Sequence, residues 1–130
     1  LIQNKYNISQ VRKLRKEEKI PYDLLLLADE TIEAIDKYIY NSDIYVLELN
    51  EIISAIYVLQ SLNNYTIEIK NIAVHENFQG QGIGMFLLKD AILKSKNKEF
   101  NSLIIGTGDA SSKQISLYQK AGFNTNSSLE

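Results

Sequence analysis

The chain contains no cysteine and no tryptophan, and only one methionine, one proline and one histidine. Without cysteine there is no disulfide staple, no thiolate nucleophile and no cysteine-ligated metal. With His75 as the sole histidine, a serine-histidine triad or a multi-histidine metal site is hard to assemble, and no metal is expected. Neither charge sign dominates: 14 Lys and Arg face 16 Asp and Glu, for a net charge of -2. The basic run from Arg12 to Lys19 also holds Glu17 and Glu18 and reads as a solvated segment. No global field therefore points to nucleic acid or to an anionic membrane. Long hydrophobic runs are missing as well. Leu24 to Ala28 is far below membrane-spanning length, and the first residues lack the basic, apolar, small-residue order of a signal peptide. A cytoplasmic protein is the expectation.

What is present is enough for a core. The 130 residues are 45% hydrophobic, which suits a single domain over 1–130, with 1–9 read as a loose leader. Val11 to Leu14 reads as a short edge strand. Pro21 opens a short helix, because its missing N–H is tolerated in a first turn, and Leu24, Leu25, Leu27 and Ala28 are expected to be its buried face. Asp29 is expected to cap a second helix running through Tyr40, with Glu30 and Glu33 in its first turn and Ile32, Ile35 and Ile39 at helical spacing. Ile44–Leu49 and Ile52–Leu59 form a hairpin around Asn50-Glu51, the second strand apolar enough to be central. From Thr66 to Val74 the pattern alternates, Ile67 and Ile69 against Glu68 and Lys70, until the phase blurs near Asn71, where a bulge is expected.

Val74 is followed by a polar turn carrying Gly80, Gly82 and Gly84, and then by a helix toward Lys96. Ile83, Leu87, Leu88, Ala91 and Ile92 lie on the helix's buried side, with a polar outer face from Lys89 to Asn97. Strand, glycine turn and helix together present unpaired N–H groups at the positive end of a helix dipole, where an anion is favoured. The spacing is Gly-x-Gly-x-Gly rather than Gly-x-Gly-x-x-Gly, and no Gly-Lys-Ser/Thr follows, so neither a dinucleotide turn nor a P-loop is matched. A strand at Leu103–Ile105 and a last helix from Ser112 to Lys120, closed by Gly122, complete an α/β order.

At this point the chain resembles the GNAT superfamily of acyl-CoA-dependent N-acyltransferases. The family's Gln/Arg-x-x-Gly-x-Gly/Ala pattern is matched by Gln79-Gly-Gln-Gly82-Ile-Gly84, its strand-end triplet by Ile72-Ala-Val74, and its leucine-tyrosine…glycine-phenylalanine segment by Leu117 to Phe123. The resemblance spans roughly Ile44 to Phe123. It implies a mixed, mostly antiparallel central sheet flanked by helices, with a C-terminal strand that is abbreviated or cut short here, and an exposed edge that makes a homodimer plausible. It also implies acetyl-CoA as co-substrate. In this reading Ile72, Ala73 and Val74 offer backbone groups to the thioester and pantetheine arm, and Gln79, Gly80, Gln81, Gly82, Ile83 and Gly84 hold the pyrophosphate.

Making an amide from a thioester needs an uncharged amine and a proton for the leaving thiolate. Glu68 stands six residues before Val74, where some family members carry a catalytic glutamate. It is either the general base or a partner for Lys70. Tyr118 matches the family's tyrosine beside the coenzyme A sulfur and is either the general acid or a core-closing helix residue. Ser111 replaces a common asparagine, as a pantetheine contact or a helix cap. His75 is either an acceptor contact or plain surface. The implied activity is transfer of an acetyl group to a primary amine on a small molecule or a peptide. The alternatives are a non-catalytic acyl-CoA-binding module and a nucleotide-binding α/β protein.

Overall fold

A computed structural model describes residues 11–105. Five strands form one sheet in the order of the chain: β1 (Val11–Lys13), β2 (Asp43–Leu49), β3 (Ile52–Ser61), β4 (Thr66–Val74) and β5 (Ser102–Ile105). The first four are antiparallel neighbours; β5 alone runs parallel to β4. Between β1 and β2 lie two short helices, α1 (Tyr22–Leu25) and α2 (Ile32–Asp36); between β4 and β5 lies the long helix α3 (Ile83–Asn97). This is the mixed, mostly antiparallel α/β sheet that the sequence led us to expect.

The β2–β3 hairpin turns on Asn50 and Glu51, both with positive φ (51° and 66°), a pair whose twist matches that of the flanking strands. In β3, residues 54–59 are all buried because helices cover both faces of that strand. The expected bulge in β4 is present. Val58 pairs with Asn71 and Leu59 with Ile69, which leaves Lys70 as the extra residue. One inserted residue exchanges the faces: Ile67 and Ile69 pack toward α3, whereas Asn71 and Ala73 face α1 and α2, and Ile72 and Val74 take up the α3 side.

Two cores result. Tyr57, Leu59, Ile67 and Ile69 meet Ile83, Leu87, Leu88 and Ala91 of α3, while Val46, Ile56 and Val58 meet Leu24, Leu25, Ile35 and Ile39. The long helix ends in a Schellman motif: Phe100 N–H donates to Ser95 O (3.1 Å), Glu99 N–H donates to Lys96 O (2.9 Å), and Glu99 is left-handed at φ 67°.

Several expectations fail in instructive ways. α1 is one turn long, so Leu27 (44% exposed) and Ala28 fall outside it and face solvent, leaving Leu24 and Leu25 to do the packing. Asp29 does not cap the second helix. Thr31 does, its Oγ1 accepting from Ala34 N–H at 3.1 Å, because Asp29 is drawn into bonds with Tyr38 and Asn71. α2 stops at Asp36, and a separate 3-10 turn over Ile39–Asn41 brings Ile39 inward. On the polar side of α3, Asp90 and Ser95 are buried. Asp90 Oδ2 accepts from Tyr57 Oη at 2.6 Å and from Lys94 Nζ, and Lys94 in turn lies 4.9 Å from the centre of the Tyr45 ring. The last helix and the closing strand expected beyond Gly106 lie outside the described residues.

Candidate active site

The end of β4 runs straight into the glycine turn. His75 N–H donates to Ser54 O (2.9 Å), its Nδ1 accepts from Asn77 N–H (3.1 Å), and a 3-10 turn over Glu76–Phe78 follows. Gln79 then folds back so that its Nε2 donates to Val74 O at 2.9 Å. Gly80 and Gly82 both adopt left-handed conformations, at φ 79° and 82°, which any side chain would strain. A Cβ placed on Gly80 would meet no heavy atom within 4 Å, so the demand there comes from the backbone and not from crowding. Gly84 is different. It lies inside the first turn of α3 without a positive φ, and contributes only the absence of a side chain.

Gly82 is the N-cap of α3, no side chain caps the helix, and its first turn holds no acid. Helical geometry leaves the leading amide groups without intrahelical acceptors. The last turn, by contrast, carries Lys94 and Lys96, which suit the negative end of the dipole. An anion thus has one bare, positively polarised end to approach.

Pairing between β4 and β5 runs from Thr66–Ser102 to Ile69–Ile105, and no further β5 pairing occurs among the described residues. The bulge at Lys70 follows at once. Ile72, Ala73 and Val74 continue to pair with β3 on their other side, opposite Tyr57, Ile56 and Ala55. Their β5-facing edge and the glycine turn form one continuous stretch of backbone.

Glu68 is half-buried, its side chain 12% exposed, and its Oε1 lies 3.3 Å from Lys70 Nζ. The pairing that the sequence allowed for Glu68 is therefore real. Lys70 Nζ also lies 5.6 Å from the centre of the Tyr38 ring. Behind it, the Asn71 amide Nδ2 is within 3.0 Å of Leu25 O, 3.1 Å of Asp29 Oδ2 and 3.1 Å of Tyr38 Oη, and Tyr38 donates its hydroxyl proton to Asp29. Burial first, and then the bond to Asp29, raise the Tyr38 phenol well above its ordinary value, so it remains a donor. Asn71 Oδ1 is buried without a partner, an omission that typically costs about 1–3 kcal/mol.

The structure also shows a cavity of about 590 Å³ that the sequence did not reveal, on the α1 side of the sheet. Ile20, Pro21, Leu24, Leu27 and Ile53 provide apolar walls; Asp23, Glu76 and His75 stand around it, and no Lys or Arg lines it among the described residues. His75 is thus exposed at a cavity wall. Tyr118 and Ser111 lie outside the described residues, as do Leu117 to Phe123. Among the described residues no group of three or more His, Asp or Glu side chains is placed to hold a metal. The Asp29–Tyr38–Asn71 network was also missed. Its one signal was an amide interrupting an otherwise apolar strand end.

Comparison with known proteins agrees with this geometry. The model of the acetyltransferase (GNAT) domain matches residues 40–125. An uncharacterized N-acetyltransferase of Bacillus subtilis (strain 168), YvbK, is 43% identical over 102 residues, covering 78% of this chain and 66% of that protein. The chain thus spans just under two thirds of that relative's length. A GNAT family acetyltransferase from Elizabethkingia anophelis, solved with acetyl-CoA bound, superposes with a TM-score of 0.84 at 51% identity, over 88% of this chain and 74% of the other. A Bacillus subtilis acetyltransferase in complex with CoA gives 0.81 at 38% identity, over 88% and 76%.

Proposed function

The chain belongs to the GNAT acetyltransferase family, and on that premise we propose that it transfers an acetyl group from acetyl-CoA directly to a primary amine. The observation that carries the reading is the continuous backbone stretch from Ile72 to Gly84. A strand edge with no β5 pairing among the described residues, suited to the amides of a pantetheine arm, leads into a bare helix N-terminus suited to a pyrophosphate. Solved relatives hold acetyl-CoA or CoA. In this assignment Ile72, Ala73 and Val74 carry the arm and Gln79 to Gly84 the pyrophosphate, with Ser111 as a further contact.

The amine must lose a proton before it attacks the thioester carbon, because an alkylamine is mostly protonated near neutral pH. Glu68 accepts that proton, directly or through water. The nitrogen's lone pair then forms the C–N bond, the C–S bond breaks, the leaving thiolate takes a proton from Tyr118, and the surplus proton on the new amide nitrogen passes through water to restore the phenol. The cavity beside His75 bears on the acceptor: its apolar walls and its two carboxylates, with no cationic side chain among the described lining residues, favour an amine with an apolar body, such as phenethylamine.

A second reading is a binding module without turnover, and the Glu68–Lys70 pair favours it, since one oxygen of the carboxylate is already engaged by the Lys70 ammonium. Two measurements decide. Calorimetry with acetyl-CoA, using ATP and NAD as controls, is expected to give specific binding that Gly84→Asp abolishes. That substitution places a carboxylate where the helix dipole welcomes it but where a pyrophosphate is repelled, so the fold stays intact while the ligand is lost. Thiol release is then followed with phenethylamine, spermidine, lysine and a peptide N-terminus. Binding without release from any of them supports the module, and absence of acetyl-CoA binding by folded protein overturns both readings.

A further inference from the structure

The polar group behind β4 is unusual in where it sits and in what it joins. Asn71 faces a layer otherwise made of Leu25, Ile35, Val58 and Ala73, where an aliphatic side chain would serve packing better and leave no oxygen unpaired. Its amide instead reaches the last carbonyl of α1, the carboxylate of Asp29 in the α1–α2 loop, and Tyr38 beyond α2. Rotating the amide would set its oxygen against Leu25 O and the Asp29 carboxylate, so its orientation is fixed. Asn71 is also the first residue after the bulge, and from there a run of direct contacts returns to Glu68. Tyr38 takes Lys70 against its ring, and Lys70 pairs with Glu68.

Strand register makes this consequential. A slip of one residue at the bulge would turn every side chain on the stretch before it, Thr66 to Lys70, to the opposite face, while Asn71 to Val74 keep their pairing with β3. A bulge is the point at which such a slip is easiest, and here it separates Glu68 from the strand end that faces the thioester. We propose that Asn71, together with Tyr38 and Asp29, is a positioning device that locks the bulge at Lys70 and so holds Glu68 on the amine side of the sheet. The proposal rests on the reading of Glu68 as the base. It assigns these three residues no contact with either substrate. Their effect travels through the backbone at Lys70 and through the Lys70 ammonium, which keeps the Glu68 carboxylate in one place.

The test compares two nucleophiles. Phenethylamine needs a base at neutral pH, whereas hydroxylamine is already uncharged and does not. In Asn71→Leu and Tyr38→Phe, turnover of phenethylamine is expected to fall about tenfold, a fraction of what a well-placed base contributes. Turnover of hydroxylamine and the Kd for acetyl-CoA are expected to stay within about twofold, since neither depends on Glu68. A parallel fall for both nucleophiles, or a matching loss of coenzyme affinity, overturns the proposal, because that is what general damage to the fold produces. Tyr38→Phe removes one oxygen and keeps the ring under Lys70, so the test survives if Asn71→Leu does not fold. Glu68→Gln separates this proposal from the reading beneath it. Selective loss with phenethylamine in Glu68→Gln, but none in the other two variants, overturns the positioning role and leaves the base. An unchanged rate in Glu68→Gln removes the base and this proposal with it.

Discussion

On one face of the sheet the 15-residue helix α3 lays Ile83, Leu87, Leu88 and Ala91 along a single core; on the other, α1 and α2 offer 4 and 5 residues. A helix of four turns with a Schellman end satisfies most of its own backbone. Single turns do not, since isolated helices of fewer than about 12–15 residues are marginal in water. The short pair is held instead by side-chain bonds: Asn71 to Leu25 O, Tyr38 to Asp29 in the loop between the helices, and Tyr22 Oη of one helix to Asp36 of the other at 2.6 Å. The face that aims the glycine turn is therefore supported by a regular helix, and the face that carries the cavity by particular pairings.

Truncating the α3 core should have the largest effect. Leu87 is fully buried, and Leu87→Ala is expected to lower global stability by about 2–5 kcal/mol in urea denaturation. Acetyl-CoA binding should persist wherever the protein remains folded. Next comes the polar seam of the same face: Tyr57→Phe removes a donor from Asp90, whose other oxygen already lacks a partner, at a cost of about 1–3 kcal/mol. If Tyr57→Phe is neutral in the same assay, the seam is held by Lys94 alone. On the opposite face, Thr31→Ala deletes the cap of α2 and should cost about 1 kcal/mol. Hydrogen exchange should locate that loss in 31–41 and leave α3 protected, whereas uniform loss of protection would show that the two faces open as one.

The smallest effect concerns the edge. Arg12, bonded to Glu18 and Glu48, ties β1 to the segment before α1. The Arg12 guanidinium, aided by the Arg15 N–H, lowers Glu18 from 4.5 to about 2. A carboxylate depressed on folding contributes stability that is complete above its unfolded value and is lost as pH falls toward the folded one. Denaturation curves should therefore weaken between about pH 4.5 and pH 2, and Glu18→Gln should flatten that part of the profile.

Local chemistry made much of this legible in advance. Asn50-Glu51 between two apolar β-branched runs marked the hairpin, the faltering alternation near Asn71 marked the bulge, and three glycines between a strand and an amphipathic run marked the turn that opens α3. These signals lie within a few residues of what they specify. Asp29 was misread because its spacing suits a cap, and sequence spacing does not show that Asn71 and Tyr38 lie close enough to compete for it. Asp90 was placed outward as a charge on a polar stretch, although Tyr57 and Lys94 draw it in. Leu27 and Ala28 were placed inward on hydrophobicity alone, one turn beyond where α1 ends.

The sequence by itself determined the order of the elements among the described residues, the glycine turn and the family, since each depends on residue type at short spacing. Tertiary structure decided the cavity beside His75 and the fate of the buried polar groups. Those depend on which distant side chains meet, and a buried carboxylate or amide is stable only where partners from other elements arrive to replace water.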